Sequence, residues 1–156
     1  MEPRRVALVG ATGYTGAELL RLLLGHPQAR LTGLYGRAQA GRPIAESLPA
    51  FAGVALPPVS RFDAAEVASQ ADFAFLAVPH GAAQEAAASL LAAGVRVIDL
   101  SADHRFDDPA FYARVYSPHA HPESLALTTY GQPERFRDRI RDARIVGSAG
   151  CYPTSV

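Results

Sequence analysis

The segment Gly150-Cys151-Tyr152-Pro153-Thr154-Ser155 carries the clearest equipment for nucleophilic chemistry, and Cys151 is the only cysteine of the chain. It follows a strand-like run, Arg144-Ile145-Val146-Gly147, and a loop of small residues, Ser148-Ala149-Gly150. Pro153 falls where a first helical turn should begin, a place where its missing N–H leaves no partner wanting. The pattern predicts a thiol at a helix N-terminus, where unpaired N–H groups and the helix dipole favour the nucleophilic thiolate. The alternative is a small buried core cysteine, since free cysteine is among the most buried residue types.

A second constellation lies at the other end. The apolar run Val6-Ala7-Leu8-Val9 enters Gly10-Ala11-Thr12-Gly13-Tyr14-Thr15-Gly16, and a helical stretch from Ala17 to Leu24 ends at Gly25. Glycines in a strand–turn–helix let the backbone approach a pyrophosphate, and the helix N-terminus supplies N–H donors. Gly10, Thr12, Gly13, Tyr14, Thr15 and Gly16 are therefore candidate cofactor-binding residues. The glycines recur at every third residue, a departure from G-x-G-x-x-G, so a tight turn without a ligand stays open. The next strand, Ala29 to Tyr35, is followed by Gly36-Arg37-Ala38-Gln39. An acid near this place would hold a ribose 2′-OH, whereas an arginine suits a 2′-phosphate. Arg37 thus points to NADP(H) over NAD(H), against the plain reading of a solvated loop arginine.

Other polar residues fall at strand ends. Pro79 and His80 follow Phe73 to Val78, and His80 would touch a cofactor or simply hydrogen-bond a loop. Ser101, Asp103 and Arg105 follow Val95 to Leu100; they would stabilise that loop, or bind a substrate phosphate or carboxylate through Arg105. His104, His119 and His121 lack a metal-ligand pattern, and His119-Ala120-His121 reads as a solvated loop. No metal site is expected.

The elements that must position these groups alternate. Asp63 to Gln70 reads as a short helix and Ala82 to Ala93 as a longer one stopped by Gly94. Residues 38–61 read as loops around a weak strand, Val54-Ala55-Leu56. Glu134 to Asp142 alternates charges at helical spacing and reads as a solvated helix. Strands alternating with helices predict an α/β fold with a doubly wound, mostly parallel sheet. In such sheets ligands bind beyond the strands' C-terminal ends, where the loops at residues 10–16, 79–81, 101–105 and 149–153 all fall.

Composition narrows the chemistry. Its 156 residues fit one domain, and 49% apolar residues can build a core. Fifteen basic residues balance fifteen acidic ones, so there is no polyanion-binding signature and no nucleic-acid partner is expected. No membrane span or signal peptide is apparent. One cysteine allows no intrachain disulfide and fits a reducing cytoplasm. The chain has no lysine. That excludes a P-loop lysine, a Schiff-base lysine and the tyrosine–lysine pair of short-chain dehydrogenases.

Segments 9–19, 78–81, 98–103, 130–134 and 150–154 together resemble, in order, the N-terminal half of the N-acetyl-γ-glutamyl-phosphate reductase family of arginine biosynthesis. Tyr152-Pro153 favours it over the lysine-pathway relative that acts on an aminoadipyl phosphate; aspartate-semialdehyde dehydrogenases share its design. The resemblance implies a Rossmann-like fold and NADPH-dependent reduction of an acyl phosphate through a thioester on Cys151. It also implies a cytoplasmic, homo-oligomeric intact enzyme. His104 stands where the family usually has Phe, and Ser148-Ala149-Gly150 replaces a more usual Asn-Pro-Gly. Family members continue well past the cysteine. The expectation is therefore a nucleotide-binding domain over residues 1–147, and over 148–156 the cysteine loop that begins a second domain carrying the catalytic histidine. The chain by itself is expected to be catalytically poor; a non-catalytic NADP-binding module is the alternative.

Overall fold

The structure, a computed structural model, describes residues 2–37 and 39–156. Seven strands form one sheet: β1 (Arg4–Val9), β2 (Ala29–Tyr35), β3 (Val59–Ser60), β4 (Phe73–Leu76), β5 (Arg96–Asp99), β6 (Thr128–Gly131) and β7 (Ile145–Ser148). Their order is β3-β2-β1-β4-β5-β7-β6, and every pairing is parallel. The helices are α1 (Tyr14–Leu24), α2 (Ala64–Gln70), α3 (Ala83–Ala92), α4 (Pro109–Val115), α5 (Pro122–Leu125), α6 (Pro133–Asp142) and α7 (Cys151–Ser155). This is the Rossmann-like, doubly wound arrangement expected from the alternation of elements.

Both faces of the sheet are covered, so its strands are apolar on both sides. Ala7 and Val9 join a core with Val67, Leu76, Ala87 and Leu90. Leu8, between them, turns the other way to Leu20, Leu34, Ile44 and Val59. The β1–β2 ladder skips Thr32, whose hydroxyl donates to the Val6 carbonyl at 3.2 Å and occupies the irregularity.

The strand expected at Val54-Ala55-Leu56 does not form. Val54 is exposed, and Pro57-Pro58 cannot donate to a ladder. The chain upstream of it makes two 3-10 turns, Ile44–Glu46 and Pro49–Phe51, and pairing begins only at β3. That loop reading starts at Ala38, which lies outside the described residues. Helix α4 went unread in the sequence, although Asp108 caps it by accepting from the Ala110 and Phe111 N–H groups, with Pro109 at its first turn. Helix α6 buries none of its side chains, consistent with a solvated helix.

Strand order reverses at the β1–β4 boundary. That switch point opens a crevice at the carboxyl ends of the strands.

Candidate active site

The turn after β1 is built for close backbone approach. Gly10 has φ +87°, and a Cβ there would overlap the Ala77 carbonyl on β4's extension. Only glycine serves at such a position. The Gly10 and Ala11 N–H groups both donate to the Tyr35 carbonyl, at 2.8 and 3.2 Å, which binds the turn to the end of β2. A Cβ on Gly16 would overlap the Gly10 and Ala11 carbonyls, so Gly16 lets α1 press against the turn. Gly13 differs: a Cβ there would meet only the Gly10 carbonyl, at 3.6 Å. Gly13 is also the N-cap of α1, where no side chain caps the helix and the first turn has no acid. The first-turn N–H groups and the dipole are thus open to an anion.

A cleft of about 540 Å³ lies over this turn, lined by Gly10, Thr12, Gly13, Arg37, Phe62, Pro79 and neighbouring residues. Among the described residues no carboxylate lines it. Of the expected cofactor-binding residues, Gly10, Thr12, Gly13, Arg37 and Pro79 meet here. Tyr14 and Thr15 are exposed on the first turn of α1, away from the lining, and Gly16 is buried behind the turn.

His80 does not line the cleft either. Its Nδ1 lies 2.8 Å from Asp103 Oδ1, and its ring packs on Tyr116 with centroids 4.6 Å apart. Of the two readings the sequence left open, the geometry is that of the loop hydrogen bond. Asp103 is fully buried and accepts from the Gly81 and Ala83 N–H groups and the Tyr112 hydroxyl. Burial alone would raise its pKa. The Gly81 N–H, the Tyr112 and Gln84 side chains and nearby His80 outweigh burial and hold the carboxyl below the usual carboxylate range. The same carboxylate pushes the buried Tyr112 hydroxyl up, after burial itself.

Ser101 belongs to a second buried network. Its hydroxyl donates to Asp99 Oδ2 at 2.9 Å and accepts from the Asp103 N–H at 3.0 Å. It therefore braces the loop and faces no open space. His104 fills the same interior: Nδ1 stands 2.7 Å from Asp99 Oδ2 and Nε2 3.2 Å from Ser124 Oγ. The Asp–His–Ser sequence of contacts resembles a hydrolase triad, but all three residues are buried and the Ser124 hydroxyl already donates to the His121 carbonyl. It is a brace. The solvated reading of His119 is corrected as well. Its ring is buried edge-on against Tyr112 and His104, with burial first and His104 second lowering its pKa. His121 stays near the surface, 2.7 Å from Glu85, which raises its pKa. These networks escape sequence reading because their members lie up to some tens of residues apart.

Cys151 opens α7, with Gly150 as N-cap, and its side chain is exposed. The buried-core alternative is thereby removed. Pro153 stands in the first turn, and Ser148, expected in the cysteine loop, is the last residue of β7. Arg105 reaches this loop: its Nε donates to the Ser148 carbonyl at 3.2 Å, and a Cβ on Gly150 would stand 3.3 Å from its Nη1. Behind them a Cβ on Gly147 would overlap the His104 carbonyl, so the 101–105 loop and the cysteine loop are fitted backbone to backbone. An exposed thiol, a guanidinium and an anion-accepting cleft thus share the carboxyl edge of one sheet. The arrangement offers nucleophilic attack on an activated acyl group beside a bound dinucleotide.

Comparison with known proteins places the chain in a family. Residues 5–143 match the sequence model described as semialdehyde dehydrogenase, NAD binding domain. N-acetyl-gamma-glutamyl-phosphate reductase of Geobacter metallireducens is 48% identical over 151 residues, 97% of this chain and 44% of that protein. The same-named protein of Polynucleobacter asymbioticus is 48% identical over 153 residues, 97% of this chain and 43% of that one. The chain thus spans less than half the length of these curated relatives. In fold, aspartate semialdehyde dehydrogenase II from Vibrio cholerae, complexed with ASA, superposes with a TM-score of 0.64 at 23% identity over 98% of this chain and 44% of that one. Aspartate semialdehyde dehydrogenase with NADP from Candida albicans does so at 0.67 and 15% identity, over 98% and 44%. With the matched residues spanning nearly every strand of the sheet, the chain belongs to the semialdehyde dehydrogenase NAD-binding domain family.

Proposed function

We propose that this chain is the nucleotide-binding and nucleophile-bearing part of an NADPH-dependent reductase that converts N-acetyl-γ-glutamyl phosphate to N-acetylglutamate semialdehyde, as in arginine biosynthesis. The observation that carries the reading is the exposed Cys151 beside Arg105 on the same sheet edge as an acid-free, glycine-floored cleft. The names of the relatives, 48% identical over nearly the whole chain, favour this substrate over other acyl phosphates.

The cleft fits a dinucleotide. Gly10 and Gly13 leave the room that a pyrophosphate needs, the uncapped N-terminus of α1 supplies donors, and Arg37 at the end of β2 suits a 2′-phosphate. Bound NADPH supplies the hydride that takes a thioester to the thiohemiacetal level. Cys151, as the thiolate, attacks the acyl carbonyl; a C–S bond forms, the C–O bond to phosphate breaks, and phosphate departs. Arg105 stands next to the nucleophile loop, where a guanidinium can hold the leaving phosphate through paired N–H donors. Backbone N–H groups at the start of α7 can receive the negative charge that develops on the carbonyl oxygen. After reduction, breaking the C–S bond frees the aldehyde and returns the thiolate. Proton transfer during that collapse needs a general acid/base supplied beyond the residues assigned here. A reducing cytoplasm and homo-oligomeric assembly of the intact enzyme accompany the reading; a lone exposed thiol of this kind must stay reduced to act.

The test is to incubate the chain with N-acetyl-γ-glutamyl phosphate and weigh it by mass spectrometry. An N-acetylglutamyl adduct on Cys151, absent in Cys151→Ser, is expected. An unmodified cysteine under conditions where iodoacetamide labels it would overturn the assignment.

A further inference from the structure

The cleft over the glycine turn continues outward into a second hollow of about 530 Å³ lined by Gly36, Arg37, Arg61 and Phe62. The two hollows share Gly36, Arg37 and Phe62; Arg61 belongs to the outer one alone. Its place is fixed by the sheet. Tyr35 at the end of β2 pairs with Ser60 at the end of β3, and the Gly36 N–H donates to the Ser60 carbonyl at 3.0 Å. Arg37 and Arg61 therefore leave two hydrogen-bonded strands side by side, at their carboxyl ends, on the rim of one hollow.

Two like charges on one rim repel unless an anion joins them. Among the described residues the arginine–carboxylate pairs are Arg5–Asp72, Arg21–Glu18, Arg42–Glu46 and Arg141–Asp138, so neither Arg37 nor Arg61 is engaged by an acid. Asp63, two residues past Arg61, is occupied as the cap of α2, accepting from the Glu66 N–H at 2.8 Å. One wall is aromatic: the Phe62 ring stands edge-on against buried Tyr35, centroids 6.2 Å apart. A hollow with two unengaged guanidinium groups, no carboxylate among the described residues that line it, and an aromatic wall matches a phosphate dianion attached to an apolar group.

We infer that Arg61 is a second ligand to the adenosine 2′-phosphate, closing with Arg37 a clamp across the outer hollow, so that preference for NADP(H) rests on two arginines from adjacent strands. The inference rests on the dinucleotide reading of the cleft. It assigns to a residue in the β3–α2 connection a share of the specificity that the sequence pattern gives to Arg37 alone.

The test is calorimetric titration of the chain with adenosine 2′,5′-bisphosphate and with 5′-AMP. The wild type should prefer the bisphosphate. Arg61→Gln should weaken bisphosphate binding by about tenfold, the scale of a hydrogen bond to a charged group, and leave 5′-AMP within about twofold. Arg30→Gln, at the opposite end of β2, removes the same net charge and should leave the preference intact. An Arg61→Gln variant with wild-type preference, while Arg37→Gln loses it, would overturn the inference and leave the NADP(H) reading standing. Equal loss in Arg30→Gln and Arg61→Gln would mean a general charge effect and overturn it too. A wild type that binds both ligands equally would sink the 2′-phosphate reading itself, and the clamp with it.

Discussion

Arg105 donates its Nε to the carbonyl of Ser148, 43 residues ahead, at 3.2 Å. The contact ties the loop after β5 to the residue that leads into Cys151. Lysine carries the same charge but not the planar fork. Arg105→Lys should therefore loosen the cysteine loop without unfolding the sheet. Loss of one such bond amounts to about 1 kcal/mol. Amide exchange at Ala149, which bonds the Gly131 carbonyl, should accelerate by about fivefold while β1 and β4 stay protected. Unchanged exchange at Ala149 would count against the brace.

Two glycines of the same turn should respond in opposite ways. Gly10→Ala puts a Cβ against the Ala77 carbonyl in a backbone with φ +87°, and should cost about 2 kcal/mol or more of stability. Gly13→Ala meets nothing closer than 3.6 Å, so the fold should hold. Its methyl group instead enters the space above the helix N-terminus, and dinucleotide affinity should fall at least about tenfold. Thermal melts beside NADPH titrations of both variants separate the two effects.

Asp103→Asn removes a buried carboxylate on which Gly81, Ala83, Tyr112 and His80 converge. An amide cannot accept all those donors, and a loss of about 2–4 kcal/mol at neutral pH is expected. The pH signature is distinctive. The folded pKa lies below the ordinary 3.8, so the unfolded chain binds more protons in acid. The contribution of Asp103 is fully present above that ordinary value and disappears as pH falls through the folded one. Denaturant titrations from pH 7 to pH 3 should show a shallower acid loss in Asp103→Asn than in the wild type.

His119 works in a higher window. Burial and His104 depress its folded pKa below the ordinary 6.5, so the fold requires the neutral ring. Below about pH 6.5 the unfolded chain takes up a proton that the folded chain refuses, and stability falls with pH. His119→Phe keeps the aromatic contacts with Tyr112 and His104 and removes the titration. Its melting temperature should change less between pH 7.5 and pH 5.5 than that of the wild type. His121 has the opposite sign: raised by Glu85, its small contribution is present in acid and fades as pH rises through its folded pKa. An equal pH response in His119→Phe and wild type would contradict the assignment.

Much of this molecule can be read along the chain wherever the cause is local. The β2 boundaries, Ala29 and Tyr35, coincide with the apolar run, and Gly25 and Gly94 mark the ends of their helices. Asp63 and Asp108 are N-caps whose side chains do what their sequence places invite, although only the first leads to a prediction. The roles proposed for Cys151, Gly10, Gly13 and Arg37 rest on residue type and position along the chain. Contacts that close across the fold are illegible. Nothing local distinguishes buried His104 and His119 from half-buried His121, because the difference lies in Asp99, Ser124 and Tyr112. Arg61 looks like any loop arginine until β3 sets it beside Arg37. Val54 to Leu56 fails as a strand because two prolines deny it a ladder, a point the apolar pattern conceals.

Strand β7 lies between β5 and β6, although it follows both in the chain. Strand β6 pairs with β7 alone, so its place in the sheet depends on Ile145 to Ser148 lying beside β5. The segment that seals this gap is the one that leads directly into Cys151. In the finished sheet β7 alone joins β6 to the other strands, and it runs directly into the Cys151 segment, so a lesion that frees β7 releases the sheet edge and the cysteine loop together while β1, β2 and β4 keep their own pairing around the cleft.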